Sequence, residues 1–142
     1  MARRYVIKQD SAPSAPISGI DYHATLNEEQ YAAVSSEPGA ALVIAGAGSG
    51  KTRTLTYRVA WLLDNGTDPW NILLLTFTNK AAREMTERVR ALIPIDLSRL
   101  WSGTFHSIAN RILRQHADYL GYTPAFTIMD SDDRKSMIKS IV

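Results

Sequence analysis

Ala41-Leu42-Val43-Ile44-Ala45-Gly46-Ala47-Gly48-Ser49-Gly50-Lys51-Thr52 reads as a short apolar strand that breaks into a glycine-rich loop ending in Gly-Lys-Thr. Three glycines let the backbone wrap closely around an anion. Successive N–H groups and a helix N-terminus then face it, Lys51 supplies a point charge, and Thr52 offers its hydroxyl to Mg2+. The pattern predicts a phosphate-binding loop for ATP or GTP. An ordinary flexible turn is the competing reading, and context opposes it. Apolar residues precede the loop, and Leu55, Val59, Leu62 and Leu63 follow at helical spacing, which gives the strand, loop, helix order the motif needs. Ala45 stands where the simplest pattern has its first glycine.

With 142 residues, 45% of them hydrophobic, the chain fits one globular domain. No apolar run approaches the roughly 18 residues that span a bilayer, and Met1 to Lys8 lacks the apolar stretch of a secretory signal. A cytoplasmic protein with no membrane partner is expected. The absence of cysteine excludes disulfides and thiolate metal sites. A net charge of +2 is too small to imply nucleic acid by itself, yet residues 51 to 90 carry seven Lys/Arg against four Asp/Glu, enough for a local basic face.

Working outward from the loop, residues 1–24, with Ser11-Ala12-Pro13-Ser14-Ala15-Pro16 and Gly19, read as an extended leader that need not pack, the folded part starting near Thr25. Asn27, followed by Glu28, Glu29 and Gln30, is an N-cap with a capping-box partner, opening a helix to about Ser36 before Pro38-Gly39 turns the chain. The helix after the phosphate loop should end at Asn65-Gly66. Ile72 to Thr76 reads as a second buried strand, and Asn79 as the cap of a helix whose stripe is Ala81, Ala82, Met85, Val89 and Leu92, stopped by Pro94. A strand near Leu100 to Thr104, a helix from His106 to Leu120 closed by Gly121, a strand from Phe126 to Met129 and a final helix capped by Asp130 complete the chain. Such alternation predicts an α/β fold, a parallel sheet with helices on both faces. The loops at 45–52, 76–80 and 102–107 all follow strands, so they should share the rim at the strands' carboxyl ends, where ligands bind.

Four segments then coincide in order and spacing: Leu26-Asn27-Glu28-Glu29-Gln30, the loop Ala45 to Thr52 with Arg53, Leu75 to Met85 (Leu-Thr-Phe-Thr-Asn-Lys-Ala-Ala-Arg-Glu-Met), and Gly103-Thr104-Phe105-His106-Ser107. Together they resemble the UvrD/Rep/PcrA family of superfamily 1 DNA helicases over roughly residues 22–142. The resemblance implies a RecA-like P-loop NTPase domain, the amino-terminal part of a motor that binds ATP and Mg2+ and moves 3′ to 5′ on single-stranded DNA towards duplex junctions. It also implies, as partners, the remaining helicase domains of the same chain.

Carried over by residue, Gln30 matches the glutamine that reads the adenine edge, a role its amide can fill alongside that of capping partner. Ala45, Gly46, Ala47, Gly48, Ser49, Gly50, Lys51 and Thr52 match the phosphate and Mg2+ loop, with Lys51 and Thr52 as the catalytic pair. Arg53 matches an arginine near the nucleotide, a solvated helix arginine being the alternative. Phe77, Thr78, Asn79 and Lys80 match a DNA-facing segment: an aromatic ring stacks on a base while hydroxyl and helix-terminal N–H groups hold a phosphate. Core packing is the other reading of Phe77, and plain solvation that of Lys80. Thr104, Phe105 and His106 match a second DNA-facing segment, with no proton-transfer role for His106. His23 and His116 have no metal-site partners in the pattern, and Trp61, Trp70 and Trp101 read as packing residues.

Hydrolysis in this motor type needs a Walker-B aspartate with an adjacent carboxylate and phosphoryl-stabilising arginines. The nearest imitation, Phe126 to Met129 followed by Asp130, Ser131, Asp132 and Asp133, has Ser131 where the family has glutamate and reads better as a helix cap. The final helix also leaves Met137, Ile138 and Ile141 needing a partner. These readings make the chain an expected amino-terminal fragment, inactive alone. The alternatives are part of a helicase-nuclease subunit, a nucleotide kinase, which leaves the Leu75 and Gly103 segments unexplained, and a non-enzymatic nucleotide- or DNA-binding module.

Overall fold

The structure, a computed structural model, describes residues 17–129 and 131–141. It divides into one compact unit ending at Thr104 and another beginning at Phe105.

In the first unit, α1 (Tyr22–Thr25) and α2 (Glu28–Ser35) precede α3 (Lys51–Asp64), which is followed by β1 (Leu73–Thr76), α4 (Asn79–Leu92) and β2 (Trp101–Thr104). The capping box is formed as the sequence suggests: Gln30 N–H donates to Asn27 Oδ1 at 2.8 Å, and Asn27 N–H donates to Gln30 Oε1 at 3.3 Å. Asn65 caps α3 and Gly66 follows with φ +84°, the left-handed backbone that ends helices without a Cβ penalty. β1 and β2 pair in parallel, Leu73 opposite Trp101 and Thr76 opposite Thr104. Parallel strands need a long crossover, and α4 supplies it. The stripe on α4 buries Met85 and Val89 against Val59 and Leu63 of α3, Leu74 of β1, and Ile93, Leu97 and Leu100. A second cluster joins Tyr22, Leu26 and Val34 to Tyr31, Tyr57 and Trp61. Trp61 there meets the Tyr22 and Tyr31 rings edge-on, and Trp70 meets Trp101 likewise, so all three indoles pack.

The second unit holds α5 (Phe105–Gln115), a 3-10 turn Ala117–Leu120 and α6 (Ser131–Ile141). Arg114 ties its irregular stretch, donating to the Pro124 carbonyl and lying 4.9 Å over the Phe126 ring. None of the described α6 side chains is buried, and Met137, Ile138 and Ile141 are exposed.

Several expectations are corrected. Residues 41–45 form no strand, and Leu42 and Ile44 are 86% and 88% exposed. An apolar run confers strand propensity, but a strand exists only with a ladder partner, and the described strands pair only with each other. Residues 126–129 are irregular for the same reason. The cap of α4 is Thr78, whose hydroxyl accepts from Ala81 N–H at 3.1 Å, with Asn79 the first helical residue. The expected helix from His106 to Leu120 starts one residue earlier and breaks at His116, after which the 3-10 turn closes on Gly121 at φ +74°. The leader expected over 1–24 already packs within its last part: Ile20 and Tyr22 join the second cluster, and Ser18 bonds to Asp64. Residues 1–16 and the Asp130 cap lie outside the described residues. The described residues thus form a mixture of helices and strands with a small parallel sheet in the first unit.

Candidate nucleotide and nucleic-acid sites

Gly48 and Gly50 adopt φ of +79° and +84°, values that glycine reaches without strain. Gly50 is the N-cap of α3, so Lys51, Thr52 and Arg53 form its first turn and the positive end of the helix dipole falls on the loop. Ser49 Oγ donates to the Gly46 carbonyl at 2.7 Å, which tightens the turn through Ala47. Lys51 Nζ donates to the carbonyls of Gly46 at 2.6 Å and Ala45 at 3.0 Å. Thr52 is exposed, and its carbonyl accepts from Thr56 Oγ1. Left-handed glycines, a helix N-terminus, an ammonium and an exposed threonine thus stand together in one loop, groups whose chemistry suits an anion.

Gln30 reaches this loop from α2. Its Nε2 donates to the Ser49 carbonyl at 3.1 Å while its Oε1 accepts from Asn27 N–H. A Cβ placed on Gly50 would come within 2.8 Å of Gln30 Nε2. Arg53 is engaged elsewhere: its guanidinium donates to the Thr25 carbonyl at 2.8 Å and lies 5.3 Å over the Tyr57 ring, bracing α1 against α3.

Phe77 follows β1 with 92% of its surface exposed, which removes the core-packing reading. Beside it Thr76 Oγ1 donates to the Thr78 carbonyl, and Thr78 caps α4. Asn79 opens that helix, and Lys80 extends into solvent 3.9 Å from Glu84. Thr104 pairs with Thr76, so these residues share the carboxyl end of the two strands. Phe105 and His106 are exposed at the start of α5 in the second unit.

The single rim was expected because a strand would precede each loop, and no strand precedes residues 45–52. Arg53, Thr56 and Tyr57 of α3 line one depression with Arg88, Ala91 and Leu92 at the far end of α4. Residues 76–80, by contrast, lie at the start of α4. No cluster of His, Asp or Glu able to hold a metal occurs among the described residues, and His23 instead stacks on Tyr31 at 3.7 Å. The contacts the sequence did not reveal are long-range ones, above all Ser18 and Tyr22 with Asp64, for which no local pattern exists.

Comparison with known proteins adds three findings. A family model described as UvrD/REP helicase N-terminal domain matches residues 26–142. An ATP-dependent DNA helicase PcrA of Staphylococcus aureus is 52% identical over 118 residues, which are 82% of this chain and 16% of that protein. The PcrA of Staphylococcus epidermidis is 51% identical over the same length and the same shares. The chain thus spans about one sixth of the length of these relatives. With the family model covering most of its residues, the chain belongs to the UvrD/REP helicase N-terminal domain family.

Proposed function

We propose that this chain supplies the adenine- and phosphate-binding half-site of an ATP-dependent DNA helicase, in a domain of RecA-like type. ATP, held with Mg2+ by residues 45–52, supplies the free energy for 3′ to 5′ movement on single-stranded DNA. In this reading Lys51 holds the phosphates, Thr52 the Mg2+, and Gln30 the base. Phe77 stacks on a DNA base while Thr78, Asn79, Lys80, Thr104, Phe105 and His106 hold the strand and its duplex junction. The partner in catalysis is the remainder of a full-length motor. The observation that carries the reading is the 3.1 Å bond from Gln30 Nε2 to the Ser49 carbonyl, which joins the adenine reader to the phosphate loop.

On its own the chain is expected to bind ATP weakly, with a Kd of about 0.1–1 mM, and not to turn it over. Titration with a fluorescent adenine nucleotide and Mg2+ tests this. Lys51→Ala should weaken binding at least about tenfold, and Gln30→Ala should weaken ATP but not GTP. Unchanged affinity in Lys51→Ala would remove the phosphate site, and DNA-stimulated phosphate release by the chain would refute its inactivity.

A further inference from the structure

Of the five asparagines in the chain, Asn65 alone is followed by glycine. Glycine has no side chain to shield its backbone nitrogen, which can then attack the side-chain amide carbon of the asparagine before it. In that reaction the Gly66 N to Asn65 Cγ bond forms, the Cγ–Nδ2 bond breaks, and ammonia leaves with the proton that Gly66 N gives up. Water then opens the cyclic imide. Cutting the new bond from Cγ to nitrogen gives aspartate at position 65, and cutting the original peptide bond gives isoaspartate.

Asn65 is exposed, so water and base reach it. The fold nevertheless holds the pair out of reaction. A ψ of 19° at Asn65 turns the Gly66 nitrogen to the side of the Cα–C bond away from the side chain. Gly66 N–H donates to the Leu63 carbonyl at 3.0 Å, and Asn65 Nδ2 donates to the Trp61 carbonyl at 2.8 Å. Thr67 N–H closes on the Leu62 carbonyl at 2.9 Å, which fixes Gly66 in its left-handed turn. Attack needs rotation about ψ, and rotation breaks these bonds, so the last turn of α3 must open first.

We propose that Asn65-Gly66 is a self-modification site latched by the end of α3, and that the bonds to Asp64 help to hold the latch. Asp64 is the last residue of α3, and it accepts from the Ser18 N–H and the Tyr22 hydroxyl, which tie the same turn to a distant part of the chain. The product weakens what protected it. Where Nδ2 donated to the Trp61 carbonyl, a carboxylate oxygen now opposes that carbonyl, at the negative end of the helix dipole and beside buried Asp64. Modification therefore loosens the hold of α3 on the segment before α2.

The full chain is incubated in mildly alkaline buffer made with heavy-oxygen water, both native and in urea, and the peptide containing Asn65 is followed by mass spectrometry. In urea Asn65 should convert faster than the other asparagines, and in the native chain at least about tenfold more slowly than in urea. Asp64→Ala, folded by circular dichroism, should convert at least about threefold faster than the native wild type. No preference for Asn65 in urea overturns the site. Equal rates in urea and in the native chain overturn the latch, and a folded Asp64→Ala that converts at the wild-type rate overturns the part given to Asp64. Should Asp64→Ala not fold, Tyr22→Phe takes its place with the same expected acceleration and the same contrary result.

Discussion

The Tyr22 hydroxyl donates to the Asp64 carboxylate at 2.6 Å across 42 residues of sequence, closing the segment before α2 onto the last turn of α3. Asp64 also accepts from the Ser18 N–H at 2.9 Å and from the Ser18 hydroxyl. Both Tyr22 and Asp64 are buried. This knot and the Arg53 bond to the Thr25 carbonyl fasten α1 along α3 from both sides, immediately before the Asn27 and Gln30 turn.

Asp64→Ala leaves a buried tyrosine hydroxyl without its acceptor, so it is expected to destabilise the chain by about 2–3 kcal/mol. Tyr22→Phe removes one bond but leaves the carboxylate its two Ser18 donors, and about 1.5 kcal/mol is expected. Thermal denaturation followed by circular dichroism measures both. Melting indistinguishable from wild type in Asp64→Ala would show that the knot does not form.

Burial, and secondarily the hydrogen bond to Asp64, pushes the Tyr22 hydroxyl above the usual tyrosine range. The folded state therefore holds this proton more tightly than the unfolded chain. The associated stability is complete below the unfolded value near 10 and is lost as pH rises above it. Stability should fall more steeply between pH 10 and 11 in wild type than in Tyr22→Phe, measured by urea denaturation. Parallel pH profiles would argue against the shift.

Leu63 sits with Val59, Met85 and Val89 in the main core, nearly inaccessible to solvent. Leu63→Ala should cost about 2–5 kcal/mol through lost burial and the cavity left behind. Ile44→Ala, at an exposed position outside the sheet, should stay within about 0.5 kcal/mol. A large loss at Ile44 would mean that residues 41–45 have found a ladder partner.

The exposed Phe77 ring contributes little to folding, so Phe77→Ala should leave the melting temperature within about 2 °C of wild type. Fluorescence anisotropy with labelled single-stranded DNA should show binding weakened by about 1–3 kcal/mol, the usual worth of one stacked base. Binding should also fall steeply with salt. Equal affinity in the variant would remove Phe77 from the DNA contact.

What was legible in the sequence was local. The Asn27 and Gln30 capping box, the α3 ending at Asn65-Gly66 and the α4 stripe all depend on residues a few positions apart, and each appears where its pattern places it. The left-handed turn ahead of α3 was legible for the same reason, because the glycine spacing allows that backbone at Gly48 and Gly50. Distant pairing was not legible. Leu42 to Ile44 have the composition of a strand, but composition names no partner, and with none among the described residues they lie exposed. Arg53 could be read only as near the nucleotide or solvated, because its actual acceptor, the Thr25 carbonyl, belongs to backbone that no side-chain motif reports.

Lys51 Nζ holds two carbonyls of its own loop, those of Ala45 and Gly46. If the loop takes up a phosphate as proposed, that step is an exchange of partners in which the ammonium gives up backbone carbonyls. Under the proposed function, phosphate affinity would be reduced by the free energy of releasing these two bonds. In a stopped-flow experiment the observed loading rate would level off at high nucleotide concentration, at the rate at which the lysine releases its own backbone.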